Sequence, residues 1–240
     1  MIEREIDVTT PDGVMKTFIK HPTHGGPHPV VLYLMDAPSI RPALHDMATR
    51  LASAGYYVMM PYLFYRGGPF REFGMSDEDM HARRELMGTV TPTNIVPDAE
   101  ALLAVAADDD AAAGGKIGAV GFCMSGGLTI ALGKAMPDRM AAAASIHGAW
   151  LVRDSDDSPH LGLEKMNAEA YFAWCDNDDT APVDTLETMR KAMEAAGVTH
   201  TIDFIETAVH GFAPAGPRYD RDASELHWER VHSLLRRNLY

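Results

Sequence analysis

A cysteine ends a short apolar run in Lys116-Ile117-Gly118-Ala119-Val120-Gly121-Phe122-Cys123-Met124-Ser125-Gly126-Gly127-Leu128. Small residues and a helical stretch follow it directly. A strand that turns sharply into a helix exposes the side chain at the turn. The free N–H groups of the new helix can then stabilise a thiolate or an oxyanion. The chemistry this permits is nucleophilic attack on a carbonyl, followed by hydrolysis of the covalent intermediate. The usual frame has glycine two residues before and two after the nucleophile. Cys123 has Gly121 before it but Ser125 after it; Ser125 has Gly127 after it but Cys123 before it. The apolar run Ile117 to Phe122 decides for Cys123, because the turn should sit at the end of the strand.

Such a nucleophile needs a base and a group that orients the base. After Cys123 the histidines are His147, His160, His200, His210, His227 and His232. His210 is the expected base, since it follows an apolar run at 199–205 and precedes the last helix, in Ala208-Val209-His210-Gly211-Phe212. His147 ends another run and is expected to line the pocket. His200 reads as structural, and His227 and His232, inside a helical stretch, read as surface residues. The acid should come from Cys175-Asp176-Asn177-Asp178-Asp179-Thr180-Ala181-Pro182, which offers three aspartates. At least one of them is expected to cap the following helix. A calcium loop does not fit, because the required glycine and terminal glutamate are missing.

These residues need a frame to bring them to one edge. An alternating stretch at 2–9, the turn signal Pro11-Asp12-Gly13 and a second strand at 14–19 read as a hairpin. Strands are then expected at 29–35, 56–60, 117–122, 140–146, 170–174 and 199–205, and helices at 42–54, 76–87, 96–107, 183–196 and 223–238. A helix also follows the Cys123 turn. Strands alternating with helices imply an α/β fold, a mainly parallel sheet flanked by helices on both faces. At 240 residues, 46% hydrophobic and 23% charged, one domain over residues 1–240 is expected.

Composition narrows the partners. The net charge of -13, with no basic cluster, argues against nucleic acid and anionic membranes. No apolar run reaches membrane-spanning length, and the N-terminus lacks the apolar core of a signal peptide. With two cysteines, both expected reduced, the chain reads as cytoplasmic. It reads also as a monomer or small homo-oligomer acting on a small molecule.

The chain resembles the dienelactone hydrolase family, cysteine-nucleophile members of the α/β-hydrolase fold. The resemblance covers nearly the full length. It is carried by Gly121-Phe122-Cys123-Met124-Ser125-Gly126-Gly127, by the spacing from Asp178 to Pro182, and by His210-Gly211-Phe212 with Tyr219 downstream. The segments 29–36, 51–56 and 61–66 add to it. It selects Asp178 as the acid, because the family's acid stands four residues before a proline. It implies that Asp36 helps to control the resting thiol, and that the backbone N–H groups of Asp36 and Met124 form the oxyanion hole. The implied activity is hydrolysis of a small ester or lactone by a Cys123–His210–Asp178 triad, with no metal or organic cofactor. Another acyl or carbon–halogen hydrolase and a non-catalytic binding protein on the same fold are the alternatives.

Two departures from the family pattern stand out. Ser125 replaces a common glycine. The dienelactone-cleaving members hold a substrate carboxylate with two arginines, one shortly after the histidine, whereas the stretch His210 to Pro214 has none. The expectation is therefore a neutral or weakly charged substrate. Arg84, with Arg83 and Arg66 as alternatives, is the remaining candidate for an anchor.

Overall fold

The first two strands form the expected hairpin. β1 (Ile2–Thr10) pairs antiparallel with β2 (Gly13–His21), and Gly13, at φ 141°, takes a conformation that side chains disfavour. The structure, a computed structural model, describes residues 1–74 and 76–240. The chain divides into two units, residues 1–115 and 116–240.

In the first unit β2 also pairs antiparallel with β4 (Tyr57–Pro61), which pairs parallel with β3 (Val30–Leu34), giving the order β1-β2-β4-β3. β3 and β4 are buried at every position, as their unbroken apolar sequences require. Between them α1 (Pro42–Ser53) starts on proline, and buries Leu44, Met47, Ala48, Leu51 and Ala52 at helical spacing. α2 (Asp77–Met87) buries none of its side chains, and its N-terminus is capped by Ser76, whose hydroxyl accepts from the Asp79 N–H. α3 (Ile95–Ala107) packs on β1.

In the second unit β5 (Ile117–Phe122), β6 (Met140–Ile146), β7 (Glu169–Cys175) and β8 (His200–Ile205) lie in that order, every pair parallel. The connecting helices are α4 (Gly126–Ala135), α5 (Val183–Ala195) and α6 (Arg221–Leu239). Gly118 and Gly121 point to opposite faces of β5, because they are an odd number of residues apart. The Gly118 face meets Leu235 and Leu239 of α6, and the Gly121 face meets Thr129 of α4, so helices cover both faces. The α/β arrangement expected from the sequence is thus present, with helix and strand boundaries shifted by a few residues at most.

The register fixes what the sheet delivers. Phe122 stands opposite Ile146, Ile146 opposite Ala173, and Cys175 opposite Ile205. The segments that follow β5, β6, β7 and β8 therefore leave from one edge, where open parallel sheets hold their ligands. Among the described residues no helix is long and apolar enough to cross a membrane.

Candidate active site

Cys123 follows β5 with φ 53°, and a single 3₁₀ turn, Cys123–Ser125, leads into α4. A non-glycine residue held in left-handed conformation is the strained turn that such a nucleophile requires. Two glycines make room for it. A Cβ on Gly121 would come within 2.3 Å of the Ser125 carbonyl oxygen. A Cβ on Gly126 would come within 2.4 Å of Ser145 Oγ and 2.6 Å of Gly148 Cα. The alternative register fares worse. Ser125 is fully buried, and its hydroxyl donates to the Phe122 carbonyl at 3.0 Å, whereas Cys123 is partly exposed.

The three aspartates after β7 separate by burial. Asp178 is buried, Asp176 is half-buried beside Asn177, and Asp179 is exposed. One oxygen of Asp178 accepts from the Thr180 N–H at 2.9 Å and its hydroxyl at 2.6 Å. The other accepts from His210 Nδ1 at 2.7 Å and lies 3.7 Å from the buried Cys175 thiol. None of the three caps α5. Its N-cap is Pro182, with no side-chain bond, so that expectation is corrected. Asp178 instead closes a side-chain turn onto Thr180, the local competitor to capping.

With Nδ1 on Asp178, His210 has Nε2 left for Cys123, whose sulfur is among the groups that raise the His210 pKa. Burial pulls the His210 pKa down, but the bonds to Asp178 and Cys123 outweigh it and raise it to about 10. For Asp178, burial works upward, yet the bonds from His210 and Thr180 hold its pKa down at about 2. Both directions describe an imidazolium held between a carboxylate and a sulfur.

His147, at the end of β6, is fully buried with φ 39°, and its N–H donates to the Ala173 carbonyl at 2.9 Å. Its ring stands edge-on to His210 at 5.1 Å and to Phe212 at 5.3 Å. Burial, with the neighbouring His210 and His227, pushes its pKa well down, so it is neutral. Neither ring nitrogen has a hydrogen-bond partner among the described residues.

Asp36 follows β3 in the first unit, buried, and its carboxylate takes a two-pronged bond from Arg41 at 2.5 and 2.9 Å. Arg84 is exposed on α2, and Arg83 is half-buried there. Arg66 is committed to Asp98 and Asp12, so it is not available as an anchor. His227, expected at the surface, is fully buried on α6 against Phe122, Phe212 and Trp228. It belongs to the apolar stripe Ser224, His227, Trp228, Val231, Leu234 and Leu235, whose helical spacing overrides its polarity.

Two residues escaped the sequence reading. Thr180 fixes one oxygen of Asp178 with two bonds, and its hydroxyl is 3.3 Å from His210 Nδ1. The D-x-T spacing carries that signal. Arg218 donates to the His210 carbonyl at 3.3 Å. No arginine stands between Gly211 and Pro214; Arg218 reaches the His210 backbone from further along the loop. Among the described residues no group of three or more histidine, cysteine or acidic side chains could hold a metal ion.

Comparison with known proteins bears on the whole chain. A carboxymethylenebutenolidase of Pseudomonas sp. strain P51 is 31% identical over 218 residues, covering 88% of this chain and 86% of that protein. A candidate carboxymethylenebutenolidase of Synechocystis sp. is 26% identical over 226 residues, covering 92% and 91%. The crystal structure of a candidate dienelactone hydrolase from Klebsiella pneumoniae superposes with a TM-score of 0.87 at 24% identity, covering 98% of each chain, and shows the same fold. The model of the dienelactone hydrolase family matches residues 15–239, so the chain belongs to that family and is a hydrolase acting on ester or lactone bonds.

Proposed function

We propose that the chain hydrolyses a small ester or lactone through a thioester on Cys123. The observation that carries this reading is the His210–Asp178 hydrogen bond at 2.7 Å, together with Cys123 in left-handed conformation at the end of β5. The Cys123 sulfur attacks the ester carbonyl, and the carbonyl electron pair moves to oxygen. The Met124 N–H, the first after the nucleophile, is the donor assigned to that oxyanion. Collapse breaks the carbon–oxygen bond, and His210 Nε2 gives its proton to the departing alkoxide. His210, now neutral, takes a proton from water, which attacks the thioester. The acid leaves, and sulfur and imidazolium are restored. Asp178 holds the imidazole in one orientation and stabilises its charged form throughout. Two unpaired cysteines fit a reducing compartment, and we place the enzyme in the cytoplasm.

Acid quenching during turnover of a slow ester, followed by mass spectrometry, tests the mechanism. The acyl mass is expected on the peptide carrying Cys123, and to vanish in Cys123→Ala. An acyl group on Ser125, or hydrolysis that survives Cys123→Ala, overturns the reading.

A further inference from the structure

Trp150 is 43% exposed, although a buried indole would contribute far more to the fold. Its backbone is at φ 54°, where a bulky residue is strained, and such outliers cluster at functional sites. The strain is held by a dense set of tethers. The Ala149 N–H donates to the carbonyl of Cys123 at 2.9 Å, and the Trp150 N–H donates to the carbonyl of Thr180 at 2.8 Å. Thr180 is the residue whose own N–H and hydroxyl fix Asp178. On the far side Leu151 is buried and reaches toward Gly127 in the first turn of α4. The segment is therefore fastened to the nucleophile turn, the acid loop and the helix below. One large apolar side chain is left facing outward, on a residue whose own N–H bonds the acid loop and whose neighbour Ala149 bonds the nucleophile turn. Val209, next to His210, is likewise an exposed apolar residue, at 40%.

We propose that Trp150 determines specificity, its indole receiving a neutral aromatic ring of the ester substrate. The proposal rests on the hydrolase reading above. Three features support it: a rigid mount costs little ordering on binding, a flat π-face rewards offset or edge-on aromatic contact, and an exposed indole gains most when covered. Relaxing the backbone would relieve strain, so retention of both strain and exposure is best explained by use of the side chain.

The test uses two ester pairs. Vinyl phenylacetate is set against vinyl cyclohexylacetate, which share a leaving group. Phenyl acetate is set against trifluoroethyl acetate, which share an acyl group. In Trp150→Ala, kcat/KM is expected to fall about tenfold for the aromatic member of at least one pair, mainly through KM, and less than about threefold for its partner. Trp150→Gly can keep φ 54° without strain, and should lose the aromatic preference equally; Trp150→Phe should keep most of it. Parallel losses within both pairs, no loss at all, or full aromatic preference in Trp150→Gly overturns the proposal. If the wild type hydrolyses none of the four esters, the ester half of the hydrolase reading falls. Phenylacetamide and cyclohexylacetamide titrated into Cys123→Ala, with and without Trp150→Ala, then decide the Trp150 question by themselves. Tighter phenylacetamide binding that depends on Trp150 upholds it, and equal binding sinks it.

Discussion

Asp98 in the first unit and Asp178 in the second are both buried carboxylates held by a cation, and their surroundings differ in one respect. Asp98 accepts from Arg66 on both oxygens, at 2.9 and 2.8 Å, and from the Tyr65 hydroxyl at 2.7 Å. Arginine does not give up its proton near neutral pH, so that pair serves as a strut. Asp178 accepts from His210, which can release its proton and regain it. The lesson is that burial and pairing alone do not mark a site; a partner able to change its charge does. Backbone strain follows the same division. Among the described residues five non-glycines have positive φ: Cys123, His147, Trp150 and Asn177 follow β5, β6 and β7, and of the described residues only Ser39 has it in the first unit.

The comparison is broken most forcefully at Cys123. Cys123→Ala is expected to lower kcat by more than about a thousandfold with an unchanged melting temperature, while Ser125→Ala keeps most of the activity. A reversed result would put the nucleophile in the other register.

The paired aspartates come next. Asp178→Asn should reduce kcat by about a thousandfold or more with little loss of fold, by disturbing the orientation and charge of His210. Asp98→Asn should do the opposite: it leaves Arg66 with only the exposed Asp12 as counter-charge, and is expected to cost about 3 kcal/mol in urea unfolding. The variant that still folds should turn over near the wild-type rate. Were Asp98→Asn to abolish turnover while the unfolding curve stayed put, the division into strut and site would be wrong.

A pH series sharpens the same contrast. The His210 pKa is raised from 6.5 to about 10, so its stabilising contribution is complete below 6.5 and disappears as pH rises through about 10. The Asp178 pKa is lowered from 3.8 to about 2, so its contribution is complete above 3.8 and disappears as pH falls through about 2. kcat/KM should show an alkaline limb near pH 10. In Asp178→Asn that limb should move to lower pH, because burial then opposes the charge with one supporting bond fewer. An unmoved limb would assign the titration to another group.

The smallest effect concerns Ser145, buried with no hydrogen-bond partner for its hydroxyl among the described residues. Ser145→Ala should change stability by less than about 1 kcal/mol, and calorimetry checks this.

Much of this was legible in the sequence because it depends on local pattern. Unbroken apolar runs and helical spacing give the elements, and Gly121-Phe122-Cys123 gives the turn. What was not legible depends on the chain's return. Asp176, Asp178 and Asp179 are chemically alike; in the sequence only the family's proline spacing singled out Asp178, and the physical reason, its burial beside His210, comes from the fold. Arg218 comes back to His210 through a loop whose path no spacing reveals. His227 is the instructive miss: its position in the α6 stripe was readable, and its residue type was given too much weight.

The bond between Cys175 and Asp178 has a practical consequence. Burial, then the adjacent Asp178 charge, push the Cys175 thiol up to about 12, while its side chain is shut away from solvent. Cys123 is partly open. The protein therefore carries its own internal standard for covalent labelling. An alkylating dye should attach with a stoichiometry of one under native conditions and two in denaturant, so that an uptake curve alone counts intact active centres in any preparation.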